Sequence, residues 1–158
     1  MKVPFFWQDT EYTCGPASLQ MVLAFFSKRV SEERLARGMC TTKSIGTKRS
    51  DFISKARREG FFCYVNSGSS LNEIGHYLSL GSPVIVNILS ENEGHYAVVV
   101  GVTRKNVILH DPYYGAHKRW SHRTFNKNWK GERGQSSKWM MVLSPGDFNL
   151  GRQYYPLG

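Results

Sequence analysis

From position 83 onward the apolar residues stop recurring at helical spacing and gather into strand-length runs. This change of period limits the fold more than any other feature of the chain. Residues 83–89 form one continuous apolar run, 95–102 a second, 107–110 a third and 138–144 a fourth. Thr103, Arg104, Lys105 and Asn106 make a polar connection between the second and third. Before position 83 the pattern is helical. Leu19, Val22, Leu23 and Phe26 fall at i, i+3, i+4 and i+7, so 14–27 reads as a helix with one apolar stripe and Pro16 in its first turn. Ser31 with Glu32 and Glu33 starts a short second helix that ends near Gly38. A third runs over 47–59 and stops at Gly60, and a fourth over 70–80 stops at Gly81, with a strand over 61–66 between them. Residues 112–137 read as loop, with one short helix around 121–129. The expected architecture is therefore α+β, with a helical half packed on an antiparallel sheet and a cleft between the two.

The 158 residues suit one domain over 1–158, with its core over about 3–143 and an irregular tail over 144–158. Hydrophobic content of 41% and aromatic content of 13% indicate a globular chain. No apolar run approaches the roughly 18 residues of a membrane span. The apolar stretch after Lys2 is shorter than the roughly 7–15 residues of a signal-peptide core, so a cytoplasmic location is expected. Cys14, Cys40 and Cys63 are odd in number and form no CxxC, which argues against a zinc site, a redox pair or a disulfide framework. Cys40 and Cys63 read as small buried hydrophobes. His76, His110, His117 and His122 show no metal-ligand spacing, and no cofactor is expected. The net charge is +9, with ten basic against three acidic residues over 28–58 and seven against one over 118–138. This reads as a solvated basic face. Attraction to an acidic peptide, a membrane surface or nucleic acid is the competing reading, but no nucleic-acid motif accompanies the charge, so no nucleic-acid partner is expected.

Four residues carry the chemistry. Cys14 stands at a helix start, where unpaired N–H groups and the helix dipole favour a thiolate. Gly15, without a Cβ, would let a substrate backbone approach closely. His95 opens an apolar strand and suits a general base. Asp111 closes the next strand, sixteen residues on, and would orient the imidazole. Gln8, six residues before Cys14, can donate to a developing oxyanion beside the Cys14 backbone N–H. Side chains alternate along strands, so His95 and Asp111 share a face only if the connection has an even register. A four-residue loop requires a bulge to restore it.

Gln8 with Cys14-Gly15-Pro16-Ala17, Gly94-His95-Tyr96 followed by Val98-Val99-Val100-Gly101, and Asp111-Pro112 resemble the bacteriocin-processing cysteine peptidases. Those domains remove double-glycine leader peptides and usually precede ABC exporters. Ser44-Ile45-Gly46, Phe125 and Trp129-Lys130-Gly131 extend the resemblance over residues 3–143. It implies a papain-like fold. It also implies peptide-bond hydrolysis through a thioester acyl-enzyme, after small residues such as a double glycine. In that scheme Cys14 is nucleophile, His95 base and then acid, Asp111 orienter and Gln8 oxyanion donor. The implied partners are a peptide or protein substrate and, in trans, a membrane exporter, since the chain contains no transmembrane segment and no phosphate-binding loop. An acyl or peptidyl transferase on the same fold and a non-cleaving peptide-binding module remain the alternatives.

Overall fold

The computed structural model describes residues 1–132 and 134–158. In chain order the elements are α1 (Cys14–Phe25), α2 (Glu32–Gly38), α3 (Arg49–Arg58), β1 (Phe62–Asn66), α4 (Leu71–Ser79), β2 (Val84–Ser90), β3 (Glu93–Val102), β4 (Asn106–Asp111), β5 (Gly115–Ser121), α5 (His122–Asn128) and β6 (Met140–Ser144). Local chemistry starts and stops the helices as the sequence suggests. The Ser31, Ser70 and Ser121 hydroxyls accept the N–H groups of Arg34, Glu73 and Thr124, capping α2, α4 and α5. Gly60 and Gly81 follow α3 and α4 with φ of +96° and +87°, the left-handed turn that ends a helix without a Cβ penalty.

The six strands form one antiparallel sheet in the order β1-β6-β2-β3-β4-β5. Helices cover both faces rather than one. Leu19 and Leu23 of α1, Leu35 of α2 and Phe52 and Ala56 of α3 pack with Ile85, Tyr96 and Val98. Ile74 and Tyr77 of α4 and Phe125 of α5 pack on the other face with Val84, Val86, Val99 and Leu109. This double cover explains why the central strands read as unbroken apolar runs: successive side chains point to opposite faces and both faces are dry. The helical and sheet halves also interleave. α4 crosses to the far face, and β1, from the helical half, joins the sheet beside β6.

One segment differs from the sequence expectation. β5 lies where a loop was expected, because Ala116, His117, Lys118 and Arg119 are exposed and give no alternating apolar signal. It is an edge strand, and charged side chains there discourage pairing with another chain. The tail is irregular but tied down. Tyr154 exchanges backbone hydrogen bonds with Cys63 at the free edge of β1, and the Leu157 N–H bonds to the Arg57 carbonyl.

Phe52 is fully buried, with its ring centroid 4.6 Å from that of Tyr96 and 6.3 Å from that of Trp139. Phe52→Ala should therefore lower the unfolding free energy by about 3–5 kcal/mol, measured by urea denaturation. A loss below about 1 kcal/mol would mean that this helix–sheet contact collapses around the deletion.

Candidate active site

The register between β3 and β4 sets the geometry. Val102 pairs with Val107, so four residues separate the last paired positions of the two strands. With no irregularity, that pairing would leave His95 and Asp111 on opposite faces. The register shifts between Val99 and Gly101, however, so Val100 is an extra residue on β3. Ahead of it Val98 pairs with His110, which continues to place Asp111 across from Ala97, on the face that His95 shares. His95 Nε2 and Asp111 Oδ1 are 2.7 Å apart, and both residues are buried. Asp111 is itself fixed: its Oδ1 also accepts the N–H groups of Tyr113 and Tyr114, at 2.9 and 3.2 Å. His110, next to it, faces the other way, and its Nε2 bonds to the Val3 carbonyl at 2.9 Å.

With Nε2 committed to Asp111, Nδ1 is the imidazole nitrogen free for Cys14. Burial opposes a charge on His95. The hydrogen bond to Asp111 and the interaction with the Cys14 thiol outweigh it and raise the pKa from 6.5 to about 10. Cys14 opens α1, and no side chain caps that helix end. Thr13 occupies the capping position, but its Oγ1 is turned away, accepting the Thr10 N–H at 3.1 Å and lying 2.9 Å from the Thr10 hydroxyl. The helix N-terminus is thereby left uncapped for a ligand.

Gln8 lines the same cavity as Cys14 and His95. Its backbone N–H bonds to the Pro112 carbonyl at 3.0 Å, beside Asp111. Its Nε2 donates one hydrogen to the Thr10 carbonyl at 2.7 Å and keeps a second. Lys43, Ser44, Ile45 and Gly46 form another wall of this cavity of about 490 Å³. The four residues singled out in the sequence thus converge. Gly15 acts differently from the expectation. It is buried, and a Cβ there would stand 2.7 Å from Thr47 Oγ1 and 3.0 Å from Phe52 Cε2, so its missing side chain serves packing of α1 against α3 rather than substrate approach. Cys40 also departs from expectation. It is exposed, with φ of 52°, whereas Cys63 is buried and its thiol is pushed up to about 12 by desolvation.

Three supporting residues escaped the sequence reading. Both carboxylate oxygens of Glu32 accept the Asp9 N–H at 3.1 Å, tying down the loop between Gln8 and Cys14. Burial, with the Asp9 carboxylate beside it, raises the Glu32 pKa from 4.5 to about 7. Asn87 Nδ2 donates to the His95 carbonyl at 3.1 Å, while Asn87 Oδ1 accepts from Arg49 Nη2 at 2.9 Å. Arg49 also donates to the Ser136 hydroxyl and carbonyl, both at 3.0 Å, so one guanidinium joins the His95 strand to the loop after α5. A Glu at a helix start and an Arg in a basic stretch look unremarkable in one dimension, and only their long-range partners mark them. Among the described residues no group of three or more His, Cys, Asp or Glu is placed to hold a metal.

The family model described as Peptidase_C39 like family matches residues 1–137. No curated protein matches the chain in sequence. Among solved structures, the peptidase domain of Streptococcus ComA, a bifunctional ABC transporter of a quorum-sensing pathway, is 24% identical with a TM-score of 0.77, covering 92% of this chain and 100% of that one. A double-glycine-motif protease from an AMS/PCAT transporter, solved with its leader peptide, is 22% identical with a TM-score of 0.74, covering 92% and 93%. A C39-like protein from Bacillus anthracis is 16% identical with a TM-score of 0.72, covering 92% and 96%. These likenesses establish a papain-like fold of the C39 type. Among the described residues no helix is long and apolar enough to cross a membrane.

The titrations carry a sign. Glu32 and His95 both bind protons more tightly folded than unfolded, so the stability each contributes is complete below its unfolded value and lost as pH rises through its folded one. Conformational stability should therefore fall between pH 4.5 and about 7 through Glu32, and between pH 6.5 and about 10 through His95. Urea midpoints against pH should show the first decline removed in Glu32→Gln and the second in His95→Gln; identical profiles in all three proteins would refute both assignments. Gly15→Ala should cost about 1–3 kcal/mol by the same assay, because the new methyl meets Thr47 and Phe52.

Proposed function

The chain belongs to the Peptidase_C39 like family, and from that premise we propose that it is a cysteine peptidase that hydrolyses a peptide bond through a thioester acyl-enzyme. The observation that supports this most directly is the His95 imidazole. It is bonded to Asp111 on one side and influenced by the Cys14 thiol on the other, within a cavity that Gln8 also lines. In this reading His95 Nδ1 takes the Cys14 proton and the sulfur attacks the substrate carbonyl carbon. The oxyanion that forms receives hydrogen bonds from the Cys14 backbone N–H and the remaining Gln8 Nε2 hydrogen. The C–N bond then breaks as His95 returns the proton to the departing amine, leaving a thioester on Cys14. A water molecule gives a proton to His95, attacks the thioester and releases the acid, and the sulfur recovers its proton. Asp111 holds the ring and stabilises its charged form throughout. Two neighbours in fold are described as the peptidase domain of ComA and a double-glycine-motif protease. They support small residues, such as a double glycine, before the cleaved bond.

Cys14→Ala should abolish hydrolysis of peptides carrying a double glycine, by roughly 10⁴-fold or more, and leave the circular dichroism unchanged. His95→Ala should lower kcat/KM by about 10²–10⁴-fold. Asp111→Asn should cost less, because an amide oxygen still accepts from imidazole and from the Tyr113 and Tyr114 N–H groups. Full activity in Cys14→Ala would rule out the thioester route, and an Asp111→Asn loss equal to that of His95→Ala would mean that the carboxylate charge itself is required.

A further inference from the structure

The cleft has the opposite electrostatic character to the protein that contains it. The chain carries a net charge of +9 and eight glutamates, and four of these, Glu11, Glu91, Glu93 and Glu132, line the cavity that holds Cys14 and His95. Among the described residues, Lys43 and His95 are the basic residues of that lining. The four carboxylates come from three separate parts of the chain: the loop before α1, the β2–β3 hairpin and the loop after α5. Among the described residues none of the four is in a salt bridge, whereas Glu33 and Glu59, away from the cleft, are paired with Arg37, Lys28 and Lys55.

All four carboxylates are exposed on the walls of the cleft, and one of them, Glu132, lies against the strand that carries His95. A Cβ at Gly94, next to His95, would stand 2.7 Å from Glu132 Cγ, so the missing side chain there makes room for the Glu132 stem. The Glu132 loop is anchored in turn through Ser136 to Arg49. Tyr113 and Tyr114, both exposed, are also on the lining. Aromatic faces and unpaired carboxylates both favour a cation. A concave site with low-dielectric walls concentrates such a field, which the basic exterior would otherwise mask.

Resting on the peptidase reading, we propose that this cleft selects peptide segments carrying lysine or arginine side chains within a few residues of the cleaved bond, with Glu11, Glu91, Glu93 and Glu132 as the charge-reading residues. From net charge alone an acidic substrate would be expected; the lining of the cleft reverses that expectation.

The test measures the field and the specificity separately. Native protein is treated with two methanethiosulfonates, one bearing a trimethylammonium group and one a sulfonate, and the rates of mixed-disulfide formation at Cys14 and Cys40 are read by peptide mass spectrometry. Taking the cation-to-anion rate ratio at each thiol cancels its intrinsic reactivity, and exposed Cys40, outside the cleft, is the internal reference. The ratio at Cys14 should exceed that at Cys40 by about tenfold or more at low salt. It should approach the Cys40 value in the triple variant Glu91→Gln/Glu93→Gln/Glu132→Gln and at high salt. In a mixture of double-glycine peptides differing only in flanking charge, the wild type should cut the Lys- and Arg-flanked members first, and the triple variant should lose that order. Equal ratios at Cys14 and Cys40 overturn the proposal. A raised ratio with no charge preference among cleaved peptides also overturns it and leaves the peptidase reading intact. A raised ratio with no peptide cut by the wild type overturns the peptidase reading, while the selection of cations by the cleft stands.

Discussion

The 2.7 Å contact between His95 Nε2 and Asp111 Oδ1 can form only because one residue on β3 is out of step with β4. Strand alternation is strict, so a single extra residue at Val100 decides which side of the sheet the His95 end of the hairpin presents to Asp111. Everything else at the site relies on that contact. It occupies one imidazole nitrogen and leaves the other for Cys14, and its hydrogen bond, together with the interaction with Cys14, raises the proton affinity of the imidazole against the opposing effect of burial. The turn after β4 reinforces it, because the Tyr113 and Tyr114 N–H groups hold the carboxylate oxygen in place.

Around this pair the protein spends buried polar groups on positioning. Glu32 reaches from α2 to the Asp9 N–H and so fixes the loop that carries Gln8 toward Cys14. Arg49 reaches from α3 to Asn87, which holds the His95 carbonyl, and to Ser136 in the loop that carries Glu132. The Tyr96 hydroxyl donates to the Thr47 carbonyl at 3.0 Å and secures the segment behind the wall formed by Lys43 to Gly46. Glu32 and Arg49 reach out from helices and Tyr96 from the sheet, and each holds backbone of another segment, which keeps two layers of different periodicity in one register. Arg49, half-buried, donates to both Asn87 and Ser136, as burial of a charged group requires.

Much of this fold was legible in one dimension. The five helices, the strand before α4 and the four apolar strands follow from hydrophobic period, caps and glycine stops, because those signals act within a few residues. β5 was hidden because an edge strand with exposed Lys118 and Arg119 carries no apolar alternation. The crossing of α4 to the far face of the sheet was hidden because an amphipathic stripe says that a face is buried but not against what. Gly15 was misread for a related reason: a glycine beside a nucleophile looks the same in sequence whether it makes room for a substrate or, as here, for Thr47 and Phe52.

The residue types available for chemistry and their places at element ends are written along the chain: a thiol opening a helix, an imidazole opening a strand and a carboxylate closing the next. Those are local facts, encoded by caps and periodicity. Strand alternation adds that a four-residue connection would separate His95 from Asp111 unless a bulge intervened. Whether the bulge formed, where it fell, and which distant carboxylates gathered on the cleft depend on contacts made in the folded chain. A bulge is chosen by packing on both faces of the sheet at once, and the field in a cleft is the sum of charges from segments far apart in the chain.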